Sequence, residues 1–220
     1  MGSIAVLRQS VPGNDFAWQA VGICERLASV ALLAALSPVI VGSAVALSLF
    51  SGRSPLIAHR RVGWRGATLW MLKLRTMWGH EDAGAGRRSG LVEYIEDNRG
   101  PQLKQAADPR VNSRFARFCR RQSIDELPQL WHVIRGEMSL VGPRPMTEGE
   151  LRRHYQADAE EVLQMKPGIA GLWQVSGRNQ LSYPERRQLD LELRRRRSIR
   201  MYLEILVRAL PEIWSGANSW

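Results

Sequence analysis

The feature that most constrains this chain is an uninterrupted uncharged window from Leu27 to Gly52, bounded by Arg26 and Arg53. The window is longer than the roughly 20 apolar residues that one helical crossing of a bilayer requires. Pro38 stands near its middle, where a ring without an N–H bends or breaks a helix. The hydroxyl of Ser37 can bond the backbone and help to accommodate such a bend. The window therefore predicts a helix that is held in a membrane.

Three structures are consistent with an apolar window that contains a proline. A straight or kinked spanning helix has sufficient length, whereas a cleaved signal peptide is disfavoured because the apolar run begins late and lacks a charged lead. A re-entrant hairpin, which enters and leaves on one face, would use Pro38 as its bend. The basic run His59–Arg65 predicts that the chain after Arg53 is cytoplasmic. We expect a membrane segment at residues 20–52 and one folded domain at 53–220.

The charge of the chain predicts an anionic partner. Lys and Arg number 31 against 21 Asp and Glu, which gives a net charge of +10. Nucleic acid, an acidic membrane face and a phosphorylated substrate all fit this excess, and composition does not choose among them. Only two cysteines occur, so a disulfide framework or a cysteine-based metal site is not expected.

Hydrophobic periodicity and turn residues predict a mostly helical α+β domain after the window. The region Gly79–Pro109 is rich in glycine and charge and is typical of a surface loop. The predicted elements are a strand or short helix at Thr68–Leu74, some helix near Leu91–Glu96, helices at Arg114–Arg121, Leu127–Arg135 and Glu148 to Met165, and a β segment at Leu172–Val175.

The last predicted helix is amphipathic. Its polar face repeats every four residues with alternating sign, and its apolar face lies opposite. The polar residues are Arg200, Glu204, Arg208 and Glu212, and the apolar ones are Leu203, Leu206, Val207, Leu210 and Trp214. Such a helix either faces a protein core or lies in the membrane interface, where Trp214 and Trp220 would be anchors.

The densest cluster of chemically active residues is the stretch RFCRRQSIDELP. Ser123 and Glu126 have the spacing of a capping box, and Asp125 is an alternative N-cap. Either arrangement predicts that Asp125 and Glu126 lie at a helix N-terminus, where the dipole and the upstream Arg120 and Arg121 favour ionised carboxylates. Such a carboxylate can attack phosphorus, and a carboxylate pair can hold Mg²⁺. Simple N-capping with a surface ion pair is the alternative.

Rigid turns that each carry a cation form a second feature. Glycine and proline fix the backbone, and an arginine fork matches phosphate oxygens. The turns are Gly142-Pro143-Arg144-Pro145, Lys166-Pro167-Gly168 and Gly177-Arg178-Asn179. Beside an acidic pair, they predict a site for a pyrophosphate.

Taken together, these segments resemble the bacterial sugar transferase family, the monotopic polyprenyl-phosphate phosphoglycosyl transferases. The resemblance covers roughly residues 20–215, and its motifs occur in the order of the family. The matching stretches are KLRTM at Lys73–Met77, DPRV at Asp108–Val111, SIDELPQL at Ser123–Leu130, GEMSLVGPRP at Gly136–Pro145 and KPGIAGLWQVSGRN at Lys166–Asn179.

The resemblance implies a two-step reaction at a bacterial inner membrane, with the catalytic domain on its cytoplasmic face. Asp125 would attack the β-phosphate of a nucleotide sugar, with UDP the usual carrier, and undecaprenyl phosphate would then take the phospho-sugar. Glu126 would pair with Asp125, and Mg²⁺ would offset the pyrophosphate charge. Ser37 and Pro38 match the family's re-entrant helix. The candidates for phosphate contacts are Arg120, Arg144, Arg178, Lys73 and Arg75.

Other functions fit the residues less well. A membrane-tethered nucleic-acid-binding protein would account for the net charge, but it predicts a recognisable binding module or basic patches interleaved with aromatic residues. The sequence contains neither, so we expect no nucleic acid partner. An inactive membrane scaffold and a hydrolase that passes the intermediate to water are further alternatives. A homodimer is compatible with the apolar anchor. The basic run Arg194–Arg197 departs from the family pattern and is expected to affect sugar preference or lipid contact.

Overall fold

The computed structural model describes residues 15–78, 90–96, 111, 113–177 and 180–215. It confirms the predicted fold class, a mostly helical α+β protein with a long apolar N-terminal helix. This helix, α1, runs over Asp15–Ser51 and is 37 residues long, which corresponds to about 55 Å. Within the described residues it is the one helix with the length and apolar composition to cross a membrane.

The helix α1 ends where the uncharged window ends. Gly52 has a φ of +68°, the left-handed conformation that favours glycine after a helix. Its N–H donates to the carbonyl of Ser48 at 2.8 Å. Pro38 lies inside the helix, and the Ser37 hydroxyl donates to the carbonyl of Ala34 at 2.8 Å, as its position beside the proline predicts. The backbone is helical throughout α1, and the hairpin stays a prediction.

A three-stranded sheet follows α1, in the order β2-β1-β3. The strands β1 (Leu56–Val62) and β2 (Thr68–Leu74) pair antiparallel through the short 3-10 turn Trp64–Gly66. The strand β3 (Val92–Ile95) pairs parallel to β1. The helix predicted near Leu91–Glu96 is therefore wrong, because the segment completes the sheet edge beside β1.

The remaining elements are short, and several replace predicted longer ones. They are α2 (Arg114–Arg121), a 3-10 helix (Ile124–Gln129), α3 (Leu130–Ile134), β4 (Ser139–Val141), α4 (Glu148–Glu150), a π-helical turn (Leu151–Tyr155), a 3-10 turn (Gln156–Asp158), α5 (Ala159–Val162), β5 (Gly168–Ala170), α6 (Leu172–Ser176), α7 (Tyr183–Arg195) and α8 (Ile199–Ser215). The prediction for Arg114–Arg121 is confirmed. The β segment predicted at Leu172–Val175 is wrong, because this stretch is α6 and the strand precedes it.

The helix predicted from Glu148 to Met165 is interrupted near its middle. It begins as expected, with a capping box in which the Thr147 hydroxyl accepts from Glu150 N–H. Gln156 then has a φ of +48°, which a continuous right-handed helix does not allow. The chain therefore turns between Tyr155 and Ala159 and packs as short pieces.

One face of α1 lies against the folded domain near each end of the helix. Glu25, Ser29, Ser43 and Leu47 are buried, and at 100° per residue these positions fall within about 40° of one another. The opposite face exposes large apolar side chains: Ile23, Leu27, Val30, Val41, Val45 and Leu49. The helix thus has a domain-facing stripe and an exposed apolar face.

The helix α8 combines the two roles that its pattern allows. Tyr202 and Ile205 are buried in a core with Leu193 of α7. A second apolar stripe stays exposed and is formed by Ile199, Leu203, Val207 and Leu210. The Trp214 side chain and Trp220 lie outside the described residues.

The basic run Arg194–Arg197 makes contacts within the protein. Arg194 bonds Gln164 in the loop after α5, and Arg195 bonds Glu161 of α5. Arg196 bonds Glu192 of α7, and Arg197 lies over the ring of Trp18 on α1. The run therefore has a structural explanation that requires no sugar or lipid contact.

Candidate active site

The acidic pair lies on the 3-10 helix Ile124–Gln129, and a sharp turn after α2 leads into it. Ser123 forms this turn with a φ of +54°, unusual for a residue other than glycine. The N–H of Glu126 donates to the carbonyl of Ser123 at 3.0 Å. The predicted capping box is wrong, because Ser123 makes no side-chain cap bond in this conformation. Asp125 is likewise inside the helix rather than its N-cap. Strained backbone of this kind is concentrated at functional sites.

Asp125 is buried beneath α1 with only 8% of its surface exposed. It lies close to Cys119 of α2, whose thiol is within hydrogen-bonding reach of Ser43 on α1. Burial raises the pKa of Cys119 to about 11, and the Asp125 charge adds to the rise, whereas the Ser43 hydrogen bond opposes it. Cys119 therefore remains a neutral thiol at physiological pH. Asp125 is the carboxylate that this junction of α1, α2 and the 3-10 helix offers, and its role as the nucleophile stays a prediction.

Glu126 forms an ion pair with Lys73 of β2. The Lys73 Nζ lies 2.7 Å from Glu126 Oε1, and their side chains are 15% and 21% exposed. Lys73 follows the buried Leu69 and Met71 at alternate positions of the strand, so all three point to the same face of the sheet. Because side chains alternate along β2, Lys73 of the KLRTM motif faces Glu126 of the SIDELPQL motif.

The position of β2 is fixed by His132 of α3. Leu72 N–H donates to His132 Nε2 at 3.1 Å, and Nδ1 lies 2.6 Å from Glu137 Oε2. Because Nε2 accepts a hydrogen bond, the ring proton belongs on Nδ1, where it points to Glu137. The imidazole thus covers the outer edge of β2 and holds the strand one residue before Lys73.

Arg120 lies in the last turn of α2, five residues before Asp125, and is half-buried. Its carbonyl accepts from the N–H of Ser123 at 3.3 Å, so its backbone is part of the turn that leads to the acidic pair. Its guanidinium makes no hydrogen bond or ion pair with another residue in the described part of the chain. Arg120 is therefore close to Asp125 in the chain, and its contact with a phosphate stays a prediction.

Arg75 has contacts that hold the sheet. It is 4% exposed, its Nε donates to the carbonyl of Ser54 at 2.8 Å, and its Nη2 lies 2.6 Å from Glu93 of β3. These bonds join the chain after α1 to the two outer strands. A phosphate contact by Arg75 stays a prediction.

The turn that carries Arg144 is locked to the turn after Lys166. Gly168 N–H donates to Pro143 O, and Gly142 N–H donates to Ala170 O, both at 2.9 Å. A Cβ on Gly142 or Gly168 would overlap backbone atoms of the other turn. The two Gly/Pro turns therefore lie against one another, and the contact needs glycine at both positions.

Arg144 is not adjacent to the acidic pair along the sheet. Met146, two residues later, accepts from Val62 at the end of β1, whereas Lys73 pairs with Ile57 near its start. Five strand residues separate these points, a distance of about 16 Å. Arg144 lies instead near Tyr183, whose pKa is raised chiefly by burial, with Arg144 among the charges that oppose the rise. Arg178 lies outside the described residues.

The sequence analysis did not predict the polar residues that attach α1 to the folded domain. Glu25, Ser43 and Cys119 are all buried, and two of them stand in or beside the apolar window. The available signal was a small polar or acidic residue at helical spacing on one face of an otherwise apolar helix.

Comparison with known proteins identifies the family. The model for bacterial sugar transferases matches residues 18–216. The chain belongs to the bacterial sugar transferase family. A curated relative in this family, the exopolysaccharide production protein ExoY of Sinorhizobium fredii, is 37% identical over 205 residues, which is 90% of this chain and 89% of that protein.

Other members of the bacterial sugar transferase family have longer chains. The UDP-galactose-lipid carrier transferase of Erwinia amylovora is 46% identical over 141 residues, 63% of this chain and 29% of that protein. The UDP-glucose:undecaprenyl-phosphate glucose-1-phosphate transferase of Caulobacter vibrioides is 35% identical over 223 residues, 95% of this chain and 76% of that protein. The chain thus spans less than a third of the first of these proteins and about three quarters of the second.

Proposed function

We propose that this sugar transferase moves a sugar-1-phosphate from a UDP-sugar to undecaprenyl phosphate, the priming step of exopolysaccharide or glycoconjugate synthesis. The observation that carries the proposal is the buried Asp125 beside Glu126 and Lys73, directly beneath the apolar helix α1. A lipid phosphate is located at the membrane face, so its enzyme requires a charged site at that depth. The name of the relative from Caulobacter agrees with this substrate class, and the name of the relative from Sinorhizobium agrees with exopolysaccharide synthesis.

The reaction proceeds in two displacements at phosphorus. In the first, an Asp125 carboxylate oxygen bonds to the β-phosphorus of the UDP-sugar, and the bond from that phosphorus to the bridging oxygen breaks. UMP leaves, and the sugar phosphate remains on Asp125 as a mixed anhydride. In the second, an oxygen of undecaprenyl phosphate attacks the same phosphorus and releases the Asp125 carboxylate. The products are UMP and undecaprenyl-diphosphate sugar.

Neighbouring residues supply positive charge and metal ligands. Asp125 and Glu126 fit Mg²⁺, which binds one or two carboxylates and completes its shell with phosphate oxygens and water. The described residues contain no cluster of three or more His, Cys, Asp or Glu that would form a metal site by itself. Bound Mg²⁺ offsets the negative charge that develops on the leaving phosphate. Lys73 orients Glu126, and Arg120 contacts a phosphate.

The helix α1 enters and leaves the membrane on one face in this proposal. Glu25 at one end bonds β4 and α8, and Leu47 near the other end packs against Leu74 and Ala116. Both attachments belong to the same polar domain, which does not enter the hydrocarbon. Glu25 and Leu47 are about 33 Å apart along α1, which is about one hydrocarbon thickness. A spanning α1 would therefore place one attachment, and its part of the domain, on the far side of the membrane. The bend belongs at Ser37 and Pro38.

The test is an assay of nucleotide release. Purified protein in detergent is incubated with Mg²⁺, undecaprenyl phosphate and a panel of UDP-sugars, with Asp125→Asn as the matched variant. We expect UMP release beyond one equivalent per enzyme to require the lipid and the metal, and the turnover rate to fall by at least about a thousandfold in Asp125→Asn. Release of UDP would mean direct glycosyl transfer and would overturn the proposal. Equal release with and without lipid would indicate a hydrolase.

A further inference from the structure

Glu25 is a buried carboxylate at the start of the apolar part of α1. It is 9% exposed, and its Oε1 accepts three hydrogen bonds. The donors are the Ser139 hydroxyl at 2.5 Å, the Leu140 N–H at 2.9 Å and the Tyr202 hydroxyl at 2.5 Å. A carboxylate buried to this extent has lost most of its hydration, so separating it from its donors is costly.

These donors connect α1 to two separate elements of the domain. Ser139 and Leu140 belong to β4, and Tyr202 belongs to α8. Two cations also face the carboxylate. Burial lowers the pKa of Lys166 and of Arg197, and the negative charge of Glu25 opposes the shift in both. Arg26 contributes to the lower pKa of Lys166, so Glu25 is the negative centre of a basic neighbourhood.

A second attachment holds the other end of α1. Ser43 lies within hydrogen-bonding reach of Cys119, and Leu47 is fully buried against Leu74. Glu25 and Ser43 are separated by about 27 Å of helix, which is close to the thickness of the hydrocarbon layer. If the first attachment were released, the segment between them would therefore be long enough to span the bilayer, and the N-terminus would then lie on the far side.

Apolar contacts cannot prevent that rearrangement. Trp18 and Val21 also pack on the core around Tyr202, but lipid tails would solvate these side chains about equally well. A carboxylate differs, because it would have to leave three donors and cross the hydrocarbon or remain there unpaired. The discriminating interactions are therefore polar, and Glu25 makes three of them, beside the contact of Arg197 with the Trp18 ring.

We propose that Glu25 commits α1 to the re-entrant topology, by holding the first arm of the helix on the cytoplasmic-face domain. The inference rests on the hairpin proposed above and assigns its stability to one positioning residue. It predicts that an apolar side chain at position 25 releases the arm and allows α1 to span the membrane.

The chain contains its own reporter for this test. Cys24 is exposed and adjacent to Glu25, whereas Cys119 is buried and its pKa is raised by burial to about 11. A membrane-impermeant maleimide is applied to intact spheroplasts and to inverted vesicles, and labelling of each cysteine is measured by mass spectrometry. An unlabelled Cys119 reports that the domain remains folded. A second reporter, Ser3→Cys in a Cys24→Ser background, repeats the measurement nearer the N-terminus.

Wild-type protein is expected to label only in inverted vesicles. Glu25→Leu and Glu25→Ala are expected to increase labelling from the outside by about tenfold or more. Glu204→Leu is the matched control, because Glu204 is an exposed acidic residue of α8 that pairs only with Arg208 within the described residues, and it should behave as wild type. Glu25→Gln replaces any variant whose Cys119 becomes reactive, and it is expected to show the same direction of change.

Two results would contradict the account, and they are distinguishable. If wild type and both Glu25 variants label only in inverted vesicles, the hairpin stands and the role of Glu25 is overturned. If wild-type protein labels from the outside, the hairpin itself is wrong and the role of Glu25 fails with it. Neither result bears on the nucleotide-release assay, so the proposed chemistry is tested separately.

Discussion

At the residue scale, Lys73 determines how the acidic pair is held. Its ion pair with Glu126 is mostly buried, so Lys73→Met should remove a buried cation from Glu126 and lower the free energy of unfolding by about 1–3 kcal/mol. We expect UMP release to fall as well, and Lys73→Arg to retain part of both. Thermal unfolding in detergent and the release assay measure the two effects. Arg152→Met, which breaks the exposed pair with Glu148, should change neither; equal behaviour of the two variants would refute the assignment.

Asp190 predicts a pH dependence of stability. Its carboxylate accepts from the Tyr155 hydroxyl at 2.7 Å, and burial raises its pKa from 3.8 to about 7, against the effect of that bond. Between these values the native state keeps a proton that the unfolded chain has released. The free energy of unfolding therefore falls as pH rises, by up to about 4 kcal/mol above pH 7.

The variant Asp190→Asn isolates this effect. Asparagine keeps an acceptor for Tyr155 and cannot ionise, so the variant should be more stable than wild type above pH 7 and equal to it near pH 4. Thermal midpoints measured from pH 4 to 8.5 provide the comparison. Parallel pH profiles for the two proteins would show that Asp190 does not carry the dependence.

Individual residues differed in how far the sequence could predict them. Asp125 and Glu126 were identified by their motif and lie together, but the capping box was wrong because Ser123 adopts a left-handed conformation that spacing cannot reveal. Arg75 was predicted to contact a phosphate; in the structure it is buried and its guanidinium pairs with Glu93. The structural role of Glu25 was not predicted, because a single carboxylate next to an apolar window is expected to mark only the end of that window.

At the element scale, the contact between the Arg144 turn and the turn after Lys166 depends on two glycines. A methyl group on Gly142 or Gly168 would overlap backbone atoms of the other turn. Gly142→Ala and Gly168→Ala should each destabilise the protein by about 1–3 kcal/mol and move Arg144. Gly22→Ala is the control, since a Cβ there meets nothing within 4 Å. Thermal unfolding measures the loss, and midpoints equal to that of Gly22→Ala would contradict the packing.

The helices with a clear sequence pattern were predicted best. The uncharged window predicted a helix in α1, and α2 was placed correctly. The strand β1 was missed because its sequence LIAHRRV mixes basic residues into a half-buried strand. The strand β3 has only four residues and is stabilised by pairing with β1, a long-range contact that local sequence does not encode.

At the scale of the whole molecule, the exposed apolar faces of α1 and α8 predict how the domain meets the membrane. In α8 the stripe includes Leu203 and Val207, and we propose that it lies in the lipid interface. The double variant Leu203→Asp and Val207→Asp should reduce turnover several-fold in liposomes and leave turnover in detergent unchanged. Glu204→Gln, on the polar face, should match wild type in both. Equal losses in liposomes and detergent would indicate a folding defect instead.

The central claim is that Asp125 carries the phospho-sugar between donor and lipid. The most direct measurement is mass spectrometry of the tryptic peptide Gln122–Arg135 after a brief reaction with Mg²⁺ and UDP-sugar in the absence of lipid. The account predicts a mass increase of one sugar phosphate located on Asp125, absent from Asp125→Asn and lost when undecaprenyl phosphate is added. An unmodified Asp125 in enzyme that releases UMP only when lipid is present would contradict it, because the transfer would then proceed in a single step.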